Sequence, residues 1–187
     1  MYDTSDIRKN LKFLLEGVPV TVVEFQFVKP GKGQAFTRTK LRNMLTGTML
    51  ERTFKTGERF EKADMEERQQ QFLYPEGDKF VFMDTKSYEQ LFLNGDQLGD
   101  ARMFIQDGMM VDVLFWNERP IGVTPPTFVE LKIVETEPGY KGDTSTNTLK
   151  QAKLETGASV GVPLFVNEGD VIKIDTRTYE YVERVKK

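Results

Sequence analysis

The chain has 187 residues, 26 basic and 29 acidic, with no histidine and no cysteine. Those two absences exclude disulfide frameworks, the usual structural zinc sites, cysteine nucleophiles and any nucleophile that leans on an imidazole base. Apolar residues at 39% and aromatics at 11% suffice for packed cores, no apolar run approaches the roughly 20 residues of a membrane helix, and the opening MYDTSDIRKNLKF lacks the layout of a secretory signal. The chain therefore reads as a soluble, globular, cytoplasmic protein.

In chain order the predicted elements are almost all strands. Asp3–Phe13 has room for a single helical turn. Val18–Val28 is rich in β-branched and aromatic residues, and Gln34–Leu45 follows with apolar–polar alternation. Between them Lys29-Pro30-Gly31-Lys32-Gly33 supplies turn chemistry, so the two runs form a hairpin. Further turn-bounded runs are Leu45–Phe54, broken at Thr46-Gly47, and Gln70–Asp84, broken at Pro75–Asp78. Met109–Trp116, Thr127–Thr136, Ala158–Phe165 and Val171–Asp175 complete the series. Asp96–Asp107 is the one segment with helical spacing, through Leu98, Ala101, Phe104 and Ile105. Short strands separated by turns predict small β-barrels rather than βαβ units. The charged stretch Glu58–Arg68 and the Val123-Thr124-Pro125-Pro126 break divide the chain into units 1–63, 64–127 and 128–187.

Charge is polarised along these units. Residues 1–63 carry twelve basic against seven acidic side chains, residues 64–128 five against twelve, and residues 129–187 nine against ten. A basic first unit in an acidic chain points to a polyanionic partner. Hairpin arms of about nine residues extend on the order of 30 Å, and the apex is a single lysine, Lys32, between Gly31 and Gly33. Small flanking residues let the backbone of such a tip approach a partner closely. The spacing of a phosphate-binding loop, G-x-x-x-x-G-K-[ST], is absent. On the return arm, alternation puts Phe36, Arg38, Lys40 and Arg42 on one face and Ala35, Thr37, Thr39 and Leu41 on the other. Three cations at two-residue spacing suit the tracking of phosphates. No carboxylate cluster carries a catalytic or metal-binding motif, so no catalytic residue, metal or cofactor is assigned.

Several runs resemble bacterial elongation factor P, a relative of the eukaryotic hypusine-bearing translation factor. They are FVKPGKGQAF (Phe27–Phe36), KLRNMLTGT (Lys40–Thr48), FMDTKSYEQL (Phe82–Leu91), PIGVTPPTFVEL (Pro120–Leu131), ETEPGYKGDT (Glu135–Thr144) and VPLFVNEGDVIKIDTRTYEYVERV (Val162–Val185). The resemblance spans the chain in order. It implies an all-β fold of three small barrels, an SH3-like (KOW-like) first domain followed by two OB-fold domains. It further implies a non-enzymatic, monomeric translation factor that binds the ribosome beside peptidyl-site tRNA and relieves stalling at consecutive prolines. Lys32, in a tip loop with Pro30, Gly31 and Gly33, would then carry a β-lysyl or related extension. A lysine-modifying enzyme resembling lysyl-tRNA synthetase would attach it. Gly142, Asp143 and Thr144 match a loop placed near the message, and Tyr181 and Arg184 match positions that approach the anticodon stem. Ser145–Leu149 replaces a more glycine-rich loop, and Tyr179 stands where relatives often have Gly or Ser. A general OB-type RNA binder and a paralogue of the family are the alternatives, and the intact Pro30–Gly33 run argues against the paralogue.

Overall fold

Two-residue turns set much of the architecture. Glu16-Gly17 and Asn117-Glu118 have positive φ at both central positions (53° and 80°; 49° and 62°), the combination that matches the twist of flanking antiparallel strands. The computed structural model describes residues 1–139 and 148–186, and gathers their strands into three antiparallel sheets.

The first sheet holds β1 (Tyr2–Asp3), β2 (Lys12–Leu15), β3 (Val18–Val28), β4 (Phe36–Asn43), β5 (Met49–Lys55) and β6 (Arg59–Lys62). Their order is β1-β6-β2-β3-β4-β5, so the last strand returns between the first two and the sheet curls around a core. Phe13, Phe54 and Phe60 fill that core with ring centroids 4.8–6.1 Å apart, closed by Val20, Val22 and Leu41. The second sheet holds β7 (Glu66–Glu76), β8 (Lys79–Met83), β9 (Gln90–Asn94), β10 (Met110–Trp116) and β11 (Arg119–Thr124), in the order β11-β10-β7-β8-β9. The third holds β12 (Phe128–Thr136), β13 (Leu149–Leu154), β14 (Ser159–Pro163), β15 (Val171–Asp175) and β16 (Glu180–Arg184), in the order β14-β13-β12-β15-β16. Each sheet has its own buried cluster. No helix among the described residues is long and apolar enough to cross a membrane.

The predicted hairpin forms between β3 and β4, while the predicted helix does not span Asp96–Asp107. A one-turn helix α1 (Gly95–Leu98) starts on a capping box between Asn94 and Gln97 and stops at Gly99, whose φ of 58° and ψ of −137° only glycine adopts readily. A 3-10 segment, Gly99–Met103, follows. The helical spacing of Phe104 and Ile105 has another origin: Ile105 packs into the second module's core and Phe104 into the third's. Strands β1, β2, β6, β9, β11, β13 and β16 fall outside the predicted runs, and β6 and β13 show why. β6 lies in the charged stretch, where Phe60 alone turns inward. β13, LKQAKL, is composed of helix formers but buries Lys150, Ala152 and Leu154 in strict alternation; cross-strand packing overrides propensity there.

Candidate functional site

β3 and β4 pair from Val20↔Asn43 out to Val28↔Phe36. A bulge between Val22 and Glu24 adds one residue to β3. Such an insertion sharpens the local twist and exchanges the faces that successive residues occupy. Beyond it Phe25 and Phe27 lie beside Thr39 and Thr37, while Glu24 and Gln26 lie beside Lys40 and Arg38. β5 flanks the return arm as far as Phe36↔Lys55, so the hairpin is supported almost to its end. The turn after β5 fastens the loop base: Thr56 donates to the Ala35 carbonyl from both its backbone N (3.1 Å) and its Oγ1 (2.9 Å), and Gln34 Nε2 donates to the Thr56 carbonyl (3.1 Å).

That leaves Lys29–Gly33 as a short free tip. Gly31, Lys32 and Gly33 are exposed and Pro30 is half-buried. Gly33 has φ of 108°, and a Cβ there would meet nothing nearer than Pro30 Cγ at 3.9 Å; a Cβ at Gly31 would meet nothing within 4 Å. Among the described residues Lys32 has no hydrogen-bond or ion-pair partner, so its ammonium is presented outward on a braced arm.

Arg38, Lys40 and Arg42 share one face of β4, with Thr37, Thr39 and Leu41 buried beneath. Their surroundings differ. Arg38 lies over the Phe36 ring (5.5 Å), and Lys40 pairs with Glu24 (3.3 Å) and faces Glu51 across the strand. Arg42 is half-buried and lies against Gly99 of the second module: a Cβ on Gly99 would come within 2.1 Å of Arg42 Nη1. The three cations are thus continuous in register and discontinuous in electrostatics. In the third module Tyr181 is half-buried against the core, and Arg184 is exposed, 3.6 Å from Asp170 and over the Phe165 ring (5.4 Å). Gly142, Asp143 and Thr144 lie outside the described residues.

The spacing between these parts is held by two junctions. At the first, the Thr46-Gly47 turn seats on α1: Gln97 Nε2 donates to the carbonyls of Met44 and Leu45 (3.2 Å each), and Met44 is buried with Leu114 and Ile121. Gly47, with φ of 81°, has no room for a Cβ, which would fall 2.4 Å from Asp96 Cβ. At the second junction Phe104 inserts among Val129, Leu131, Ile172 and their neighbours in the third module. Its ring stacks on Tyr179 (4.5 Å, 22°), and Thr156 Oγ1 donates to the Met103 carbonyl (2.6 Å). Tyr179 itself sits at φ 60°, uncommon for a bulky residue. Burial, then the nearby Asp100 carboxylate, push its phenol up to about 12, with Arg42 offsetting part of the effect. No motif in the sequence assigns a role to Phe104 or Gly99, and the one signal at Tyr179 is a bulky residue where relatives often place Gly or Ser. No group of three or more acidic side chains able to hold a metal occurs among the described residues.

Comparison with known proteins agrees with this architecture. The profile described as "Elongation factor P (EF-P) KOW-like domain" matches residues 3–60, "Elongation factor P (EF-P) OB domain" matches residues 65–123, and "Elongation factor P, C-terminal" matches residues 129–184. The chain is 54% identical to Elongation factor P of Desulforapulum autotrophicum over 99% of both chains. It is 53% identical to that of Natranaerobius thermophilus, covering 100% of this chain and 99% of the relative. Among solved structures, a translation initiation factor 5A from Methanococcus jannaschii aligns with 66% of this chain and 91% of its own, at 23% identity and a TM-score of 0.44. The fold is all-β, a KOW-like barrel followed by OB modules, and the chain belongs to the elongation factor P family of translation elongation factors.

Proposed function

We propose that this protein binds the ribosome beside peptidyl-site tRNA and speeds peptide-bond formation at consecutive prolines, with Lys32 as the residue that reaches the reaction centre. The observation that carries this reading is the tip itself: a partnerless ammonium between two glycines, on a hairpin braced by β5 and Thr56, in a member of a translation-factor family. Proline is a slow acceptor with a fixed φ. A factor that holds the donor in an attack-ready geometry lowers the barrier through orientation, without proton transfer of its own. The protein is on this reading an accessory to the ribosome's chemistry and not an enzyme. It acts as a cytoplasmic monomer divided at 63/64 and 127/128. A lysine-modifying enzyme resembling lysyl-tRNA synthetase extends Lys32 with a β-lysyl or related group. Arg38 and Lys40, with Arg42, face RNA near the tip, Tyr181 and Arg184 serve the tRNA, and Gly142-Asp143-Thr144 the message.

The test separates docking from action. Lys32→Ala is expected to bind ribosomes within about twofold of the parent while failing to relieve stalling on a Pro-Pro-Pro reporter; Lys32→Arg, which keeps the charge and loses the acceptor amine, is expected to share that defect. Full rescue by Lys32→Ala would overturn the mechanism. The mass of the tip peptide from native cells reads the extension directly, and an unmodified Lys32 in a fully active protein would remove that part alone.

A further inference from the structure

We propose that the cleft where the three modules meet is a binding site for a phosphate group, held by Lys12 and Arg42. The cavity is about 320 Å³ and takes Lys12 and Arg42 from the first module, Gly122 from the second and Tyr179 from the third. All three modules contribute to its lining.

Four cations line it, Lys9, Lys12, Arg42 and Arg177, against the single carboxylate of Asp100. Two of the four are already accounted for. Arg177 is engaged by Asp175 at 3.0 and 2.7 Å, and Lys9 is exposed. Lys12 and Arg42 are half-buried, and neither has a carboxylate within 4.0 Å among the described residues. Among the described residues the Lys12 ammonium has one hydrogen-bond partner, the Asn10 carbonyl at 3.3 Å. Burial weakens its hold on a proton, and the more distant Glu67 returns part of that. The Arg42 side chain runs over Gly99, in space that any side chain at position 99 would occupy.

Half-burying two neighbouring cations with no carboxylate within 4.0 Å of either is unfavourable. A fold that nevertheless does so, and reserves space for one of them with a glycine, is preorganised for an anion that arrives from outside. A guanidinium offers a planar fork and an ammonium a point charge, a pair suited to the several oxygens of one phosphate. The phosphate could be free or part of an RNA backbone. We assign it to RNA, which rests on the proposed function, because the adjoining Lys40 and Arg38 continue from Arg42 along the same strand face. Binding there reads the relative placement of the three modules.

Two titrations of the full-length protein test this. In the first, inorganic phosphate is added to isotope-labelled protein with chloride matching the ionic strength, and amide shifts are followed. Saturable shifts at Gln97, Gly99 and Gly122 are expected, and they are expected to vanish in Lys12→Gln/Arg42→Gln, whose spectrum also reports that it remains folded. In the second, deacylated tRNA is titrated at several salt concentrations. The double variant is expected to bind at least tenfold more weakly, with the log–log salt slope reduced by about 2. Loss in both titrations, or with tRNA alone, establishes an RNA-phosphate site. A response to inorganic phosphate with unchanged tRNA affinity and slope assigns the cleft to free phosphate and rejects RNA. No localised shift together with an unchanged tRNA slope overturns the site. A parent that binds no free tRNA removes the assignment to RNA; the phosphate titration then still decides the cleft, and the Lys32 reporter still decides the proposed function.

Discussion

Gly31 and Gly33 flank the same lysine but differ physically. Gly33 needs a φ of 108°, which strains any L side chain, whereas Gly31 has neither a positive φ nor a neighbour within 4 Å. Gly31→Ala is therefore expected to keep the parent's reporter activity, and Gly33→Ala to lose most of it because the tip must re-route. Strain of about 1–3 kcal/mol in a loop with no core contacts is relieved by local movement, so both variants should melt within about 2 °C of the parent. Equal activity of the two alanine variants would show that tip geometry is not required. Tyr179 gives a pH prediction. Its phenol is pushed up to about 12 from an ordinary 10, so the fold favours the protonated form. That stabilisation is complete below pH 10 and is lost as pH rises from 10 to 12. On the order of 2 kcal/mol of stability is involved. Urea unfolding across this range should show a steeper loss for the parent than for Tyr179→Phe, and parallel curves would rule out the buried phenol as the source.

At the scale of elements, legibility followed whether an apolar pattern served one core or two. The β3–β4 hairpin was readable because Val20, Val22 and Leu41 all enter the first module's core, and because the tip carries Pro30 and its two glycines. The alternation from Thr37 to Arg42 was equally plain and matches the observed burial. Leu98–Ile105 has apolar positions at helical spacing for a different physical reason: Gly99 ends the helix after Leu98, and beyond it Phe104 enters the third module's core while Ile105 joins Leu98 in the second's. Register also escaped the sequence. The β3 bulge decides that Phe25 and Phe27 share a face with Thr39 and Thr37, and no residue type near Val23 announces it. The electrostatic setting of the Arg38–Arg42 stripe depends on β3, β5 and the second module together. Alternation alone could therefore give its face but not that Lys40 is already paired with Glu24.

Across the whole molecule, function on the proposed reading requires a fixed vector from the Lys32 tip to the third module, and the two junctions set it. Gly47 allows docking to be perturbed without touching a core. A Cβ there would fall 2.6 Å from the Asp96 carbonyl carbon and 2.8 Å from the Gln97 nitrogen, backbone atoms that cannot swing aside as a side-chain end can. Gly57 is the natural control. Its φ of 96° strains an alanine in a similar way, but nothing lies within 4 Å of the added methyl. The chain has no cysteine, so spin labels at Lys29→Cys and Ser159→Cys, both exposed, report a single intramolecular distance. The parent and Gly57→Ala are expected to give the same narrow distribution. Gly47→Ala is expected to broaden it, because the first module must lift from α1 and lose the Gln97 bonds to Met44 and Leu45. Reporter activity should fall with that broadening while the circular dichroism of the strands stays unchanged. A narrow, parent-like distribution in Gly47→Ala would show that the seat on α1 does not set the vector, and that the placement of Lys32 is held by the buried Met44–Leu114–Ile121 contact instead.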